Sequence, residues 1–316
     1  MNVATLPKLT ADNYYTPEAD LVYMSCSQYQ DFLECEAATM AKMHGLYKPE
    51  PTEALVVGNY FHTALESDEA HEAFLQENED KIFKLKIDKA SGEIIRTGKY
   101  APYVKADEMI QTFLRDPIIS ELLLMDGENE VIMTGALFGV PWKIRLDKYC
   151  ADKRLIIDWK TAADLNKTEY NPEYGERESF LEYLGYLMRA AVYTEIEKQA
   201  KNLEEDAKFI ICAVSKQEPP DKGAYLLNHR QRYDFELARI EENMKRIVGV
   251  KYGFHKPTRC GRCEWCRKTK RLTKIVPYYT IKPGFQDPRE EEYDDIFATY
   301  MEDAQAQREF LGVSAL

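Results

Sequence analysis

Arg145-Leu146-Asp147 is followed, eleven residues after the aspartate, by Asp158-Trp159-Lys160-Thr161, which is reached through the apolar run Leu155-Ile156-Ile157. Strand alternation puts Asp158 and Lys160 on one face and turns Trp159 to the other. Two neighbouring strands would bring Asp147 and Asp158 together. Paired carboxylates beside an amine suit phosphodiester hydrolysis, in which a hard cation neutralises developing charge and makes hydroxide near neutral pH. Mg²⁺ prefers oxygen ligands and keeps several waters, so two carboxylates and one further group suffice. The competing reading is a surface ion pair between Asp147 and Lys160, because an isolated D-x-K triplet arises often by chance.

Candidate ligands extend outward from this pair. The Trp159 carbonyl is one, and Glu130, upstream of Asp147, is another. His62 lies in Gly58-Asn59-Tyr60-Phe61-His62-Thr63-Ala64-Leu65-Glu66, where helical spacing sets His62 and Glu66 on one face. Neutral imidazole is a competent ligand. Glu66 fits a supporting role better than direct ligation. Lys160 would orient the nucleophile or offset transition-state charge.

The bulk composition constrains the class. At 316 residues the chain is long enough for a full core, read as one domain over 1–275 with an acidic C-terminal tail over 276–316. Apolar runs are too short to span a membrane, and the N-terminus lacks a basic flank before an apolar stretch, so a cytoplasmic location is expected. Seven cysteines argue for metal or thiols over a disulfide framework. The net charge of −12 is awkward for a nucleic-acid enzyme, but the local field matters more than the total. Lys256, Arg259, Arg262, Arg267, Lys268, Lys270, Arg271 and Lys274 form a basic run that holds one acid, Glu264.

Pattern and punctuation predict a helix capped by Ser27 and running to Met43, a second from near Leu55, and an irregular insertion over 80–100 with a turn at Ser91-Gly92. A helix over 103–114 follows. Next comes a β meander with strands at 130–134, 141–149 and 155–160, then a long helix over 179–203, a buried strand at 209–214 and an amphipathic helix over 234–252. This order predicts an α/β fold with a mixed sheet.

The segments GNYFHTALE (58–66), KIRLDKY (143–149) and IIDWKTAAD (156–164) together resemble the RecB-type branch of the PD-(D/E)XK nucleases, and within it the RecE (exonuclease VIII)-like phage exonucleases. YMSCSQYQDFLECEAATMAKMHG (23–45) resembles them too. The resemblance covers most of 10–275. It implies a restriction-endonuclease-like core, with a mixed central sheet flanked by helices. It also implies Mg²⁺ or Mn²⁺, two ions being the expectation, and 5′-to-3′ digestion of linear double-stranded DNA. The product would be a 3′ single strand for a single-strand annealing protein, the enzyme a homo-oligomeric ring, and its source a phage or prophage. The family carries Gln-x-x-x-Tyr on the helix after the site; here Arg189 stands at the Gln position and Tyr193 is kept. Both are candidate DNA contacts, with Arg145, Lys268 and Arg271. A single-strand-specific nuclease and a DNA-binding module without turnover are the alternatives.

Cys260-Gly-Arg-Cys263-Glu-Trp-Cys266 sits in a Cys-rich segment over 255–275. Three thiolates at C-x₂-C-x₂-C spacing can wrap one cluster. A fourth ligand is needed, and Cys35 resembles the remote N-terminal cysteine of iron-staple nucleases, which implies a structural [4Fe–4S] cluster. Zinc is the rival, because Cys₄ zinc sites are common.

Overall fold

Five strands in the order β3-β4-β5-β8-β9 form the sheet that carries the site, and the β5–β8 pair is parallel while the others are antiparallel. The architecture is that of a computed structural model, which describes residues 7–87, 89, 92–172, 174–272 and 278. The chain order is α1 (Pro17–Val22), α2 (Cys26–Met43), α3 (Glu53–Glu66), α4 (Asp68–Glu77), α5 (Glu79–Ile82), β1 (Phe83–Ile87), β2 (Ile94–Lys99), α6 (Ala101–Leu114) and α7 (Pro117–Leu124). Then follow β3 (Glu128–Leu137), β4 (Val140–Cys150), β5 (Leu155–Ala162), β6 (Thr168–Asn171), β7 (Glu176–Ser179), α8 (Phe180–Tyr183), α9 (Tyr186–Lys201), β8 (Lys208–Ser215), β9 (Lys222–Leu227), α10 (Arg230–Lys251) and α11 (Glu264–Lys268). The expected α/β fold with a mixed sheet flanked by helices is present.

Two cores cover the two faces of this sheet. Trp142, Ile144, Leu146, Ile156 and Phe209 pack with α2, α9 and α10. Leu155, Ile157, Trp159, Cys212 and Val214 pack with α3 and α6. Alternation on β5 thus works as expected: Trp159 joins the second core, with its ring 6.1 Å from that of Phe113. Fully burying such side chains contributes about 1.5–3 kcal/mol each.

Several boundaries differ from the sequence expectation. Ser25, not Ser27, caps α2, its hydroxyl accepting from the Gln28 N–H at 3.2 Å. The insertion over 80–100 contains the β1–β2 hairpin, and Ser91 of its expected turn lies outside the described residues. The helix expected over 179–203 is two helices, because Gly185 takes a left-handed φ of 73° between α8 and α9. That conformation suits a residue without Cβ. β3 runs on through Gly135 to Leu137, and the tight turn into β4 is Phe138-Gly139, both with left-handed φ. β9 escaped prediction because it is an edge strand of half-exposed, Gly-containing sequence. The acidic tail falls outside the described residues apart from Tyr278.

The chain divides into two compact units, Met1–Cys260 and Gly261–Leu316. In the first, two buried lysines hold residues 14–28. Lys143 donates to the Tyr14 carbonyl and pairs with Asp20 at 2.7 Å. Lys251, at the end of α10, donates to the carbonyls of Asp20 and Tyr23 and to Gln28 Oε1, each at 2.9 Å. Burial pushes the Lys251 amine down to about 7, against Asp20 and with help from Lys143. Between pH 7 and the ordinary lysine range the unfolded chain therefore binds a proton that the folded one lacks. Stability contributed here rises with pH across that window. Lys251→Met is expected to flatten that rise, read as the difference between the two melting curves from pH 7 to 9.5; identical pH slopes for both proteins would refute it.

Candidate active site

The β4–β5 ladder ends at Lys148 opposite Ile157, one residue before Asp147 and Asp158 would meet. On the other side, the β3–β4 ladder pairs Asn129 with Lys148 and Val131 with Leu146, passing over Glu130 and Asp147. Glu130 there adopts a left-handed φ of 57°. Irregular pairing of this kind re-aims side chains beside functional sites. Asp147 uses the gap, its Oδ2 accepting the Trp159 N–H at 2.9 Å.

Lys160 Nζ lies 3.4 Å from Asp147 Oδ2 and 2.5 Å from Asp158 Oδ2, and it donates to the Trp159 carbonyl at 2.9 Å. The short approach to Asp158 is an ion pair without hydrogen-bond geometry, so the buried Oδ2 accepts no hydrogen bond among the described residues. From α3, His62 Nδ1 comes within 3.4 Å of the same Asp147 oxygen. Glu130 pairs with Arg145. Arg189 reaches in from α9, with Nη1 3.4 Å from the Tyr193 hydroxyl and its guanidinium 5.8 Å from that ring.

Apart from the buried Asp158, the charged groups of this cluster line one cleft of about 670 Å³, open to solvent. Its walls hold His62, Glu66, Glu130, Arg145, Asp147, Lys160, Arg189 and Tyr193. Two smaller clefts, of about 290 and 100 Å³, do not hold this group of charges. Tyr14, Tyr15, Ser25 and Cys26 also line it, residues that sequence reasoning passed over. The tandem tyrosines in a polar lead-in were the available signal, but only the pinning of residues 14–28 carries them to the cleft.

The electrostatics follow from burial and charge together. Burial pushes Asp158 up. Burial also works against ionised Asp147, yet Lys160, His62 and the Trp159 N–H outweigh it and hold it below the usual carboxylate range. For Lys160 the desolvation cost is overcome by both aspartates, and the amine is held above its ordinary value. Burial pushes His62 down to about 4, so the imidazole is neutral near pH 7 with a lone pair to offer. Glu130 is pushed up to about 7 by burial, with Arg145 opposing. By donor type, carboxylates, a carbonyl and a neutral imidazole suit a divalent cation, with the Lys160 amine between the two aspartates. Asp158 Oδ2, buried and facing the Lys160 amine, keeps a lone pair for such an ion.

The cysteines are organised separately. α2 breaks at Cys35, which has φ −166° and ψ 100°. Glu36 turns out of the kink to bind Arg246 at 2.6 and 2.8 Å and the Thr258 N–H at 2.6 Å. That anchors the chain before Cys260, whose N–H donates to Cys35 Sγ at 3.5 Å. In the second unit Cys263 caps α11, its sulfur accepting from the Cys266 N–H at 3.4 Å. Cys35, Cys260, Cys263 and Cys266 are a four-thiol set that could bind a metal. Cys26 lines the cleft of the carboxylates and Lys160, and burial pushes its thiol up to about 12. Lys268, also in the second unit, pairs with Glu264 at 2.5 Å, and Arg271 is exposed.

Among the described residues, no helix is long and apolar enough to cross a membrane. No curated protein matches the chain. A crystal structure of a provisionally named exonuclease from Eubacterium rectale is similar at 32% identity, with a TM-score of 0.76, over 88% of this chain and 100% of that one. A structure described as SSO0001 aligns at 13% identity with a TM-score of 0.27, over 83% of this chain and 96% of its own, too weakly to carry an argument. The model of a PDDEXK-like domain of unknown function (DUF3799) matches residues 25–269, which contain the strands, the cleft and all four clustered cysteines. The chain therefore belongs to this PDDEXK-like family, and its kinship is with nucleases.

Proposed function

We propose that the protein is a divalent-metal-dependent exodeoxyribonuclease acting on linear double-stranded DNA. One observation carries the reading: Asp147, Asp158 and Lys160 converge where β4 and β5 part, with His62 against Asp147 at the wall of a solvent-open cleft. Asp147, Asp158, the Trp159 carbonyl, His62 and Glu130 would hold Mg²⁺ or Mn²⁺, as one ion or two. When bound, the ion offsets phosphate charge and acidifies water. Lys160 has a proton-rich amine between both aspartates, suited to orienting the nucleophile and donating to a phosphate oxygen. Arg145, Arg189 and Tyr193 line the cleft walls and contact flanking phosphates. Lys268 and Arg271 add salt-sensitive backbone contacts. The RecE-type resemblance supports 5′-to-3′ polarity, a homo-oligomeric ring and delivery of a 3′ strand to a single-strand annealing protein.

Four cysteines arranged as a triplet and a distant singleton favour [4Fe–4S] over zinc, whose sites more often use two C-x₂-C pairs. Its role is structural, tying the kink of α2 to the C-terminal cysteines. Protein purified without oxygen is expected to be brown, with a broad band at roughly 400 nm from thiolate–iron charge transfer; a colourless protein with stoichiometric zinc would overturn the iron assignment. For the activity, Mg²⁺ is expected to release nucleotides from linear duplex and none from covalently closed circles. Equal attack on circles, or no release with Mg²⁺ or Mn²⁺, would defeat the exonuclease reading.

A further inference from the structure

Asp147, Lys160 and Arg189 line the cleft, and Asp158 is buried beside Lys160. Lys160 lies within ion-pair distance of Asp147 and Asp158. Arg189 lines the same cavity, and its charge acts on both aspartates and on Lys160. Beside them Arg145 is paired with Glu130. The formal charge of Asp147, Asp158, Lys160 and Arg189 together is zero. Sites for hard divalent cations tune their affinity through the number of anionic ligands, and a fixed guanidinium nearby opposes any second cation.

We propose that Arg189 keeps the free protein's affinity for divalent ions low and makes ion binding depend on DNA phosphate. The inference rests on the nuclease reading of the cleft. Guanidinium pairs strongly with phosphate. A backbone phosphate entering the cleft would engage Arg189 and leave the two aspartates and Lys160 with a net negative charge. Ion and DNA then bind cooperatively, each strengthening the other by the same factor. The consequence is an enzyme whose centre assembles only on its substrate. A packing role alone would need the Arg189–Tyr193 contact but no charge.

Mn²⁺ binding, followed by electron paramagnetic resonance, tests this without turnover. The probe is Mn²⁺ alone or with a duplex oligonucleotide carrying phosphorothioate ends. In the wild type the duplex is expected to tighten Mn²⁺ binding at least about tenfold, equivalent to about 1.4 kcal/mol. Arg189→Gln is expected to tighten Mn²⁺ binding by the free protein by a similar factor and to shrink the gain from DNA. Arg189→Lys, which keeps the charge, should behave as wild type. The proposal is overturned if Arg189→Gln binds free Mn²⁺ as weakly as wild type, if Gln and Lys variants tighten it equally, or if DNA does not help the wild type. Asp158→Asn separates the two levels of argument. If it leaves Mn²⁺ binding unchanged in every arm, the ion lies elsewhere and the reading of the cleft itself falls.

Discussion

Asp158→Asn and Lys160→Met are each expected to lower kcat for nucleotide release by about a thousandfold or more, with KM for DNA changed by only a few-fold. Removing one preorganised charge that acts on developing charge typically costs a hundred- to a thousandfold. Loss of a metal ligand adds to that. The split between kcat and KM follows because neither group is a main DNA anchor in this geometry: Asp158 is buried and Lys160 is tied to two carboxylates. A drop in kcat and kcat/KM by equal factors would mark an interaction made in the transition state. Stability should move the other way for Asp158→Asn. The native carboxylate is 1% exposed and burial disfavours its charge, while Lys160 keeps Asp147 as a partner, so an amide of the same shape removes a desolvation cost without leaving a buried charge unpaired. A raised melting temperature with lost turnover is the expected pairing, as functional sites often trade stability for chemistry. Retention of activity within tenfold in either variant would remove these side chains from the reaction.

Arg154→Ala is expected to destabilise the fold by about 3 kcal/mol, because breaking a buried pair leaves an uncompensated charge. Glu197 on α9 is fully buried, and its carboxylate takes the Tyr149 hydroxyl at 2.6 Å and Arg154 at 3.2 and 2.6 Å. Arg154 also donates to the Glu205 carbonyl at 2.7 Å. Its φ of 47° places it in the left-handed region at the turn between β4 and β5. The network therefore ties α9, which carries Arg189, to the hairpin that carries both aspartates. A loss of this size lowers the melting temperature of a domain of 150–250 residues by roughly 6–12 °C. Pairing the substitution with Glu197→Gln should recover part of the loss, since a neutral amide is cheaper to bury. Arg154→Gly should cost less than Arg154→Ala, because glycine relieves the left-handed backbone. Melting temperatures of the three variants check both statements; an Arg154→Ala protein that melts within 2 °C of wild type, on the same scale, would refute the network argument.

Much of the site was legible because its carriers are local. Asp158 and Lys160 share a face by the two-residue period of any strand, and the apolar residues before them demand a buried one. His62 and Glu66 share a helix face for the same kind of reason, and both line the cleft. The cysteine triplet is a spacing that the chain keeps wherever it folds. Other features had no local signature. Ser25 and Ser27 are equally good caps by type, and only packing selected the first. The break at Cys35 lies in a sequence with ordinary helix formers, and the Glu36–Arg246–Thr258 contacts that accompany it span more than two hundred residues.

By itself, then, the sequence determined the strand and helix periods, the identity of the acid, base and thiol groups, and which of them share a face. Tertiary structure decided where the β4–β5 ladder stops, and that stop opens the space between Asp147 and Asp158. It also decided that the tyrosine lead-in, pinned by Lys143 and Lys251, walls the cleft, and that Arg189 points into it. The physical reason is the same in each case. Periodicity is a property of a few consecutive residues, whereas the end of a ladder, a kink or a charge balance depends on energies summed over segments far apart in the chain.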